Sequence, residues 1–265
     1  MHDDELGAIT YFDIHRFENG TKQELHQAVA TEVPCTIRVN GAEAATLMVT
    51  PTHLKEFTLG YLFTSGIINA ADEVQDYYCD TVRWRVDVRT AKHVDLKLLG
   101  KRLYTSGCGK GVLYASVIKL AARRPLAMGQ CFTVDDLTRA MHWLLTHSQV
   151  YKDTRCVHSV ALSPKGAVPE LLMDDIGRHN ATDKVIGHGL QHNFEFQAAA
   201  LLCTGRISSE ILHKVKRAEI PLVISRSVPT HQTILLAREM GVTVVGAVRS
   251  GRCNIYTHPD RVVAG

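Results

Sequence analysis

The chain has 265 residues, 45% of them hydrophobic and 22% charged, enough to bury one large α/β core or two modest ones. Its net charge of +3, from 30 Lys and Arg against 27 Asp and Glu, offers no global field for nucleic acid or a membrane surface, so any anion site must be local. The acidic start Met1-His2-Asp3-Asp4-Glu5 has no apolar run behind it, and no stretch is long enough to span a bilayer, which predicts a cytoplasmic protein without a signal peptide.

Residues 33–39 read as a strand that turns at Asn40-Gly41, a strong hairpin signal, and resumes over 45–49. Thr50-Pro51 then predicts a helix start, with Leu54, Phe57, Tyr61 and Leu62 on one face and Gly66 as the stop. Residues 82–88 and 93–98 resemble a second hairpin. This first part, 1–104, reads as a small α+β unit. The pattern turns helical over 112–122, and 125–130 makes a linker. Thr133 with Asp136 approximates a capping box ahead of Leu137, Ala140, Met141, Leu144 and Leu145 at helical spacing. From Cys156 strands and helices alternate: strands over 156–162, 169–173, 199–203, 222–225 and 242–248, and helices after Asn180, over 208–218 and over 230–240. That alternation predicts a second unit, 105–265, built on a mostly parallel or mixed sheet covered by helices.

Two features carry chemistry. The first is Thr105-Ser106-Gly107-Cys108-Gly109-Lys110-Gly111, which sets one thiol among glycines, hydroxyls and a lysine just before a predicted helix. Helix amides and a neighbouring ammonium both favour thiolate, and the glycines leave the sulfur uncovered, so a nucleophile or sulfur carrier competes with a plain glycine turn. The seven cysteines are odd in number and never in C-x-x-C spacing, which signals neither a disulfide framework nor a cysteine zinc site. Most are expected to be buried as small apolar residues, Cys203 among them.

The second feature is an arginine beside Gly, Ser or Thr at four predicted strand ends: Gly177-Arg178-His179-Asn180, Thr204-Gly205-Arg206, Ser225-Arg226-Ser227 and Arg249-Ser250-Gly251-Arg252. Open α/β sheets bind ligands beyond the carboxyl ends of their strands, where glycine admits backbone amides to an anion and arginine adds bidentate recognition of phosphate. The segment Asp175 to Asn180 could read a base or pterin edge, or could be a strand-to-helix turn capped by Asn and Asp. His188 and His192 sit four apart, but Gly189 lies between them and no Glu follows the first, so no zinc motif results.

These residues resemble the FdhD/NarQ family, the sulfurtransferase accessory proteins of formate dehydrogenase. The likeness runs through Pro34 to Asn40, Thr50-Pro51, Leu59-Gly60-Tyr61-Leu62, Ser106-Gly107-Cys108-Gly109, the block Asp175-Ile176-Gly177-Arg178-His179-Asn180-Ala181-Thr182-Asp183-Lys184, Thr204-Gly205-Arg206-Ile207-Ser208, Ser225-Arg226-Ser227-Val228-Pro229-Thr230 and Gly246 to Arg252. The resemblance implies a larger unit with a cytidine-deaminase-like three-layer αβα fold, and a homodimer. It also implies a sulfur carrier that takes a persulfide sulfur from a cysteine desulfurase onto Cys108. The sulfur would pass to the molybdenum cofactor, bis(molybdopterin guanine dinucleotide), before insertion into apo-formate dehydrogenase. Ala247, Val248, Arg249, Ser250, Gly251 and Arg252 would contact that cofactor, with Arg178, His179, Asn180, Arg206 and Arg226. No intrinsic metal is implied: H-x-E and P-C-x-x-C are absent. The family loop usually reads C-G-x-C, and here Gly111 stands in place of its second cysteine. That departure puts an internal thiol relay in doubt. It leaves room for a cofactor-binding chaperone that carries no sulfur.

Overall fold

The computed structural model describes residues 6–91 and 124–264. The helix read over 112–122, the strand at 93–98, Lys110 and the Cys108 loop lie outside the described residues, as does the expected boundary at 104/105. Among the described residues, no helix is long and apolar enough to cross a membrane.

A hairpin pairs β1 (Ile9–Glu18) with β2 (Thr21–Ala30) through Asn19-Gly20. Asn19 (φ 49°) and Gly20 (φ 78°) both adopt the left-handed conformation such a tight turn needs. The next hairpin joins β3 (Val33–Val39) to β4 (Ala42–Val49), as the Asn40-Gly41 signal predicts. Its period-2 pattern buries Val33, Cys35, Ile37 and Val39 on one face. Of the second predicted hairpin only 82–88 falls among the described residues: its last four residues belong to β6 (Arg85–Thr90), which pairs with β5 (Val74–Asp80), while Val82 is exposed in the turn between them. There Asp80 accepts the Val82 and Arg83 amides, which makes a turn where apolar patterning alone suggests a strand. These strands form a four-stranded sheet in the order β4-β3-β6-β5.

Helix α1 (Leu54–Thr64) follows and starts later than the sequence implies. Thr50 cannot begin a helix because its amide donates to Asp175 Oδ2 (3.1 Å) and its carbonyl accepts from Lys184 Nζ (3.0 Å), both far along the chain. Gly66 (φ 78°) ends the helix as expected, its amide bonding Phe63 O. The burial is wider than one stripe: Leu54, Phe57, Thr58, Leu59, Gly60, Leu62, Phe63 and Thr64 are all buried.

The second part begins with β7 (Phe132–Thr133) and α2 (Val134–His147), whose cap forms as read: Thr133 Oγ1 accepts the Asp136 amide at 3.0 Å. A short helix, α3 (Gln149–Thr154), is not signalled in the sequence. Then come β8 (His158–Pro164), β9 (Leu172–Asp175), α4 (Arg178–Gln191), β10 (Ala199–Cys203), α5 (Ser209–Arg217), β11 (Leu222–Ser225), α6 (His231–Met240), β12 (Thr243–Arg249), β13 (Arg252–Thr257) and β14 (Val262–Val263). The central sheet is mixed, in the order β13-β12-β11-β10-β8-β9, with β9, β10, β11 and β12 running one way and β8 and β13 reversed.

Successive strand residues face opposite layers. Ala200, Leu202, Leu222, Ile224 and Val245 pack with Leu137, Ala140, Met141 and Leu144 of α2. Leu201, Cys203, Val223 and Val244 join the larger core that holds α4, α5, α6, α1 and the β3–β6 face. The chain is therefore an α/β protein whose central sheet is covered on both sides, with α1 shared between that assembly and the smaller sheet.

The α1–α4 crossing is close enough to exclude any side chain at two points. A Cβ on Gly60 would lie 1.8 Å from Asp183 O, and one on Gly187 would lie 1.9 Å from Glu56 O. Because backbone cannot yield as a flexible side chain does, Gly187→Ala is expected to lower stability by roughly 1–3 kcal/mol or more, read as a reduced urea midpoint; an unchanged midpoint would show that the helices can separate freely.

His213 of α5 sits under the same crossing, with Nε2 3.2 Å from Thr64 O and its buried Nδ1 without a hydrogen-bond partner. Burial, reinforced by the Lys214 charge, lowers its pKa from 6.5 to about 4. The group is thus neutral when folded and more basic when unfolded. Its contribution is complete above pH 6.5 and is lost as pH falls towards 4, by at most about 3 kcal/mol. Unfolding measured between pH 7 and 4 should show this decline, with a shallower slope for His213→Gln.

Candidate functional site

The topology gathers the chemistry. Because β8 runs against β10 and β9 runs against β8, β9 ends on the edge where β10, β11 and β12 finish, its last residue Asp175 paired with the start of β8 at His158. Reversed β13 adds Arg252 opposite Arg249. The four arginine-bearing strand ends thus lie along one edge of the sheet. Their loops are tied together by Ser225, whose hydroxyl donates to Gly205 O (2.6 Å) and accepts the Ser227 amide (3.0 Å).

Beside that edge lies a cleft of about 660 Å³, a size suited to a small molecule. Arg226, Ser227, Arg249 and Thr204 line it from the strand ends, and Ser148, Tyr151, Arg155 and Cys156 from α3 and the segment after it. Val157, His158 and Ser159 lie between. Arg226 and Arg249 are exposed, and Arg249 also donates to Arg226 O and Val248 O, both at 2.7 Å. His158 is half-buried, and burial followed by the charges of Arg178, His179 and Arg206 pushes its pKa down. These three residues therefore cluster around His158, next to the cleft. A side chain at Gly205 would meet that group, its Cβ lying 3.1 Å from Arg178 Cδ and 3.2 Å from His158 Nδ1.

The other residues read from sequence have different places. His179 Nε2 lies 3.0 Å from Glu210 Oε2 and 3.2 Å from Ser208 Oγ, and burial pushes its pKa down. Asn180 is buried and its amide donates to Met48 O and Asp175 Oδ1, both at 2.9 Å, which favours the turn-and-cap alternative for this segment. Ala247 (φ 53°) sits in an irregularity of the β12–β13 pairing with its amide on Ser227 O, and Val248 points into the core against α2. Ser250 and Gly251 are exposed in the hairpin turn, and Arg252 is exposed at the start of β13. Cys108 lies outside the described residues.

Sequence reasoning missed Tyr151, Arg155, Cys156 and His158. The only hint for α3 is Ser148, which caps it by accepting the Tyr151 amide (3.0 Å) while donating to Asp174 Oδ2 (2.8 Å).

The expectation that most cysteines are buried needs correction. Cys35 and Cys203 are buried, and burial holds their thiols up at about 12 and about 11; Cys79 and Cys253 are half-buried, while Cys131 and Cys156 are exposed. The reason is position: the two exposed cysteines fall outside the regular strands and helices. The His188 and His192 rings lie tilted against each other, with centroids 4.1 Å apart and an interplanar angle of 31°. Among the described residues, no three His, Cys, Asp or Glu side chains are placed to hold a metal ion.

Fold and edge define an α/β protein with an arginine-rich, anion-ready cleft at the carboxyl ends of its central strands. The model of the FdhD/NarQ family matches residues 30–263, and the chain belongs to that family. Its relatives include the sulfur carrier protein FdhD of Shouchella clausii, 34% identical over 97% of this chain and 98% of that one. The protein of the same name from Bacillus subtilis is 33% identical over 98% of both chains. A crystal structure assigned as a formate dehydrogenase accessory protein, from Desulfotalea psychrophila, superposes with a TM-score of 0.79 at 27% identity, covering 97% of this chain and all of that one.

Arginine at an exposed edge binds phosphate oxygens through charge-assisted hydrogen bonds. Arg226→Ala is expected to weaken inorganic pyrophosphate binding about tenfold or more with an unchanged thermal midpoint, as titration calorimetry would show; equal affinity would remove Arg226 from the site.

Proposed function

We propose that this chain is a sulfur carrier for formate dehydrogenase. The observation that carries the reading is its end-to-end likeness to proteins named as sulfur carriers, and the cleft supports it by supplying fixed cations for a phosphate-bearing acceptor.

In this reading the Cys108 thiolate attacks the terminal sulfur of a cysteine desulfurase persulfide. A new S–S bond forms at Cys108, the donor's S–S bond breaks, and the donor cysteine leaves as thiolate, with no net oxidation. Lys110 favours the attacking thiolate. The acceptor is the molybdenum cofactor, bis(molybdopterin guanine dinucleotide), treated as cargo. Its phosphates lie against Arg226 and Arg249, with Arg178, Arg206 and Arg252 along the same edge. The carrier works in the cytoplasm as a homodimer and hands the cofactor on to apo-formate dehydrogenase. The two-sided central sheet is compatible with a cytidine-deaminase-like layering.

Gly111, where the family usually has a second cysteine, favours a second reading: a chaperone that holds the cofactor without carrying sulfur. One set of measurements separates the two. After incubation with a cysteine desulfurase and cysteine, the intact mass should rise by one sulfur on Cys108, reversibly with reductant, and Cys108→Ala should stay unlabelled. Unlabelled wild-type protein, together with a Cys108→Ser variant that still supports formate dehydrogenase maturation in cells, would establish the chaperone instead.

A further inference from the structure

We propose that His188 and His192, at the carboxyl end of α4, form a two-imidazole site for a divalent late transition-metal ion such as zinc. The site lies apart from the cleft: α4 is 14 residues long, which sets the pair roughly 15–20 Å from the Arg178 end. It does not depend on the sulfur-carrier reading.

Residues four apart on a helix share one face, and the two rings lie with centroids 4.1 Å apart. That spacing lets two histidines of one helix bind the same zinc ion, and imidazole suits zinc, copper and nickel. Because Gly189 follows His188 where a hydrolytic motif has its glutamate base, the pair holds an ion without hydrolytic chemistry. The tautomer is set as ligation requires. His192 Nδ1 lies 2.9 Å from His188 O, and since a carbonyl only accepts, Nδ1 carries the proton and Nε2 keeps its lone pair for a metal. Burial, followed by the proximity of His192, lowers the His188 pKa, so that ring is neutral too.

The surroundings favour a cation. His192 is the C-cap of α4, its amide also on His188 O at 3.2 Å, and the carbonyl end of a helix carries partial negative charge. Glu56 of α1 adds a carboxylate whose charge acts on His188. The close crossing keeps it there, Glu56 O filling the place of a Gly187 side chain. His53, at the start of α1, also acts on His188, but burial lowers its pKa and it adds no fixed positive charge. Two protein ligands leave the remaining positions to water, whereas catalytic and structural zinc take three or four from protein. The ion is therefore exchangeable, and it ties down the last turn of α4.

The experiment uses the full chain, zinc chloride as probe and magnesium chloride as the hard-cation control. His192 is exposed and His188 half-buried, and exposed His231 on α6 serves as the internal reference. Zinc should slow carbethoxylation of His188 and His192 by diethyl pyrocarbonate, mapped by peptide mass, and leave His231 unchanged; magnesium should protect none of them. In His188→Gln the zinc concentration that half-protects His192 should rise roughly tenfold or more, at least what loss of a ligand's supporting partner costs. His192→Gln should do the same to protection of His188. Zinc should also raise the thermal midpoint of wild type more than that of either variant. Absence of protection in wild type, equal protection of His231, or unchanged protection of His192 in His188→Gln overturns the site, and the first two readings need no variant.

Discussion

A buried ion pair holds the two parts of this chain in register. Lys184 Nζ lies 2.8 Å from Asp175 Oδ2, both side chains fully excluded from solvent, and each also binds Thr50, the residue that closes the N-terminal sheet. At the preceding residue of α4 a second pair repeats the device: Lys214 Nζ contacts both Asp183 oxygens at 2.6 Å and Thr64 Oγ1 at 3.1 Å. Burying such charges costs several kcal/mol per ion, and the attraction offsets that only where the remaining hydrogen-bonding positions are filled. Here they are filled by backbone and hydroxyls from the other part of the chain. The pairs therefore specify which surfaces meet, and burial lowers the Lys184 pKa even with Asp175 in contact. Separating the two parts would strand each charge without partners.

That constraint fixes the edge as well as the core. Asp175 is the last residue of β9, and its second oxygen accepts the Gly177 backbone amide at 2.8 Å and the Asn180 side-chain Nδ2 at 2.9 Å, which sets where α4 begins. The start of α4 sets Arg178 against Gly205, and Gly205 O is in turn held by Ser225. The chain of contacts thus runs from Thr50 in the first half to the loops that carry Arg178, Arg206 and Arg226. A change in the N-terminal sheet reaches the cleft through packed backbone and buried hydrogen bonds, without a side chain from that sheet lining it.

Most of the scaffold was legible in the sequence, because long amphipathic or uniformly apolar segments with caps and turns leave few alternatives: the β3–β4 hairpin, α2 behind Thr133 and the alternation after Cys156 all follow those signals. The errors have local causes. The strand expected from 82 begins only at Arg85, after a turn that Asp80 stabilises, and the Thr50 helix start gives way to tertiary bonds. The β1–β2 hairpin carries an Asn19-Gly20 signal as plain as Asn40-Gly41, but its strands mix polar and apolar residues without a buried face. The block from Asp175 to Lys184 reads as a ligand-binding motif, yet Asp175, Asn180, Asp183 and Lys184 spend their polar atoms on the fold, and Arg178 and His179 are the members turned towards the edge. One sequence cannot separate those tasks, since both demand the same polar residue types. The α3 side of the cleft was illegible for a simpler reason: six residues carry no periodicity.

The electrostatics of the cleft follow from which groups can titrate. Its cations are arginines, charged at any physiological pH. The imidazoles near it, His158 and His179, have lowered pKa values, chiefly through burial and in part through Arg178, with Arg206 also acting on His158. A protonated His158 would add charge beside Arg178 and Arg206 in a partly desolvated place, so the neutral ring supplies hydrogen bonding alone. The attraction for an anion is therefore set by fixed charge and stays level through the neutral range. A phosphate-bearing ligand held by such fixed charge leaves through competition by a partner or through a change of geometry, because the charge of the arginines does not change.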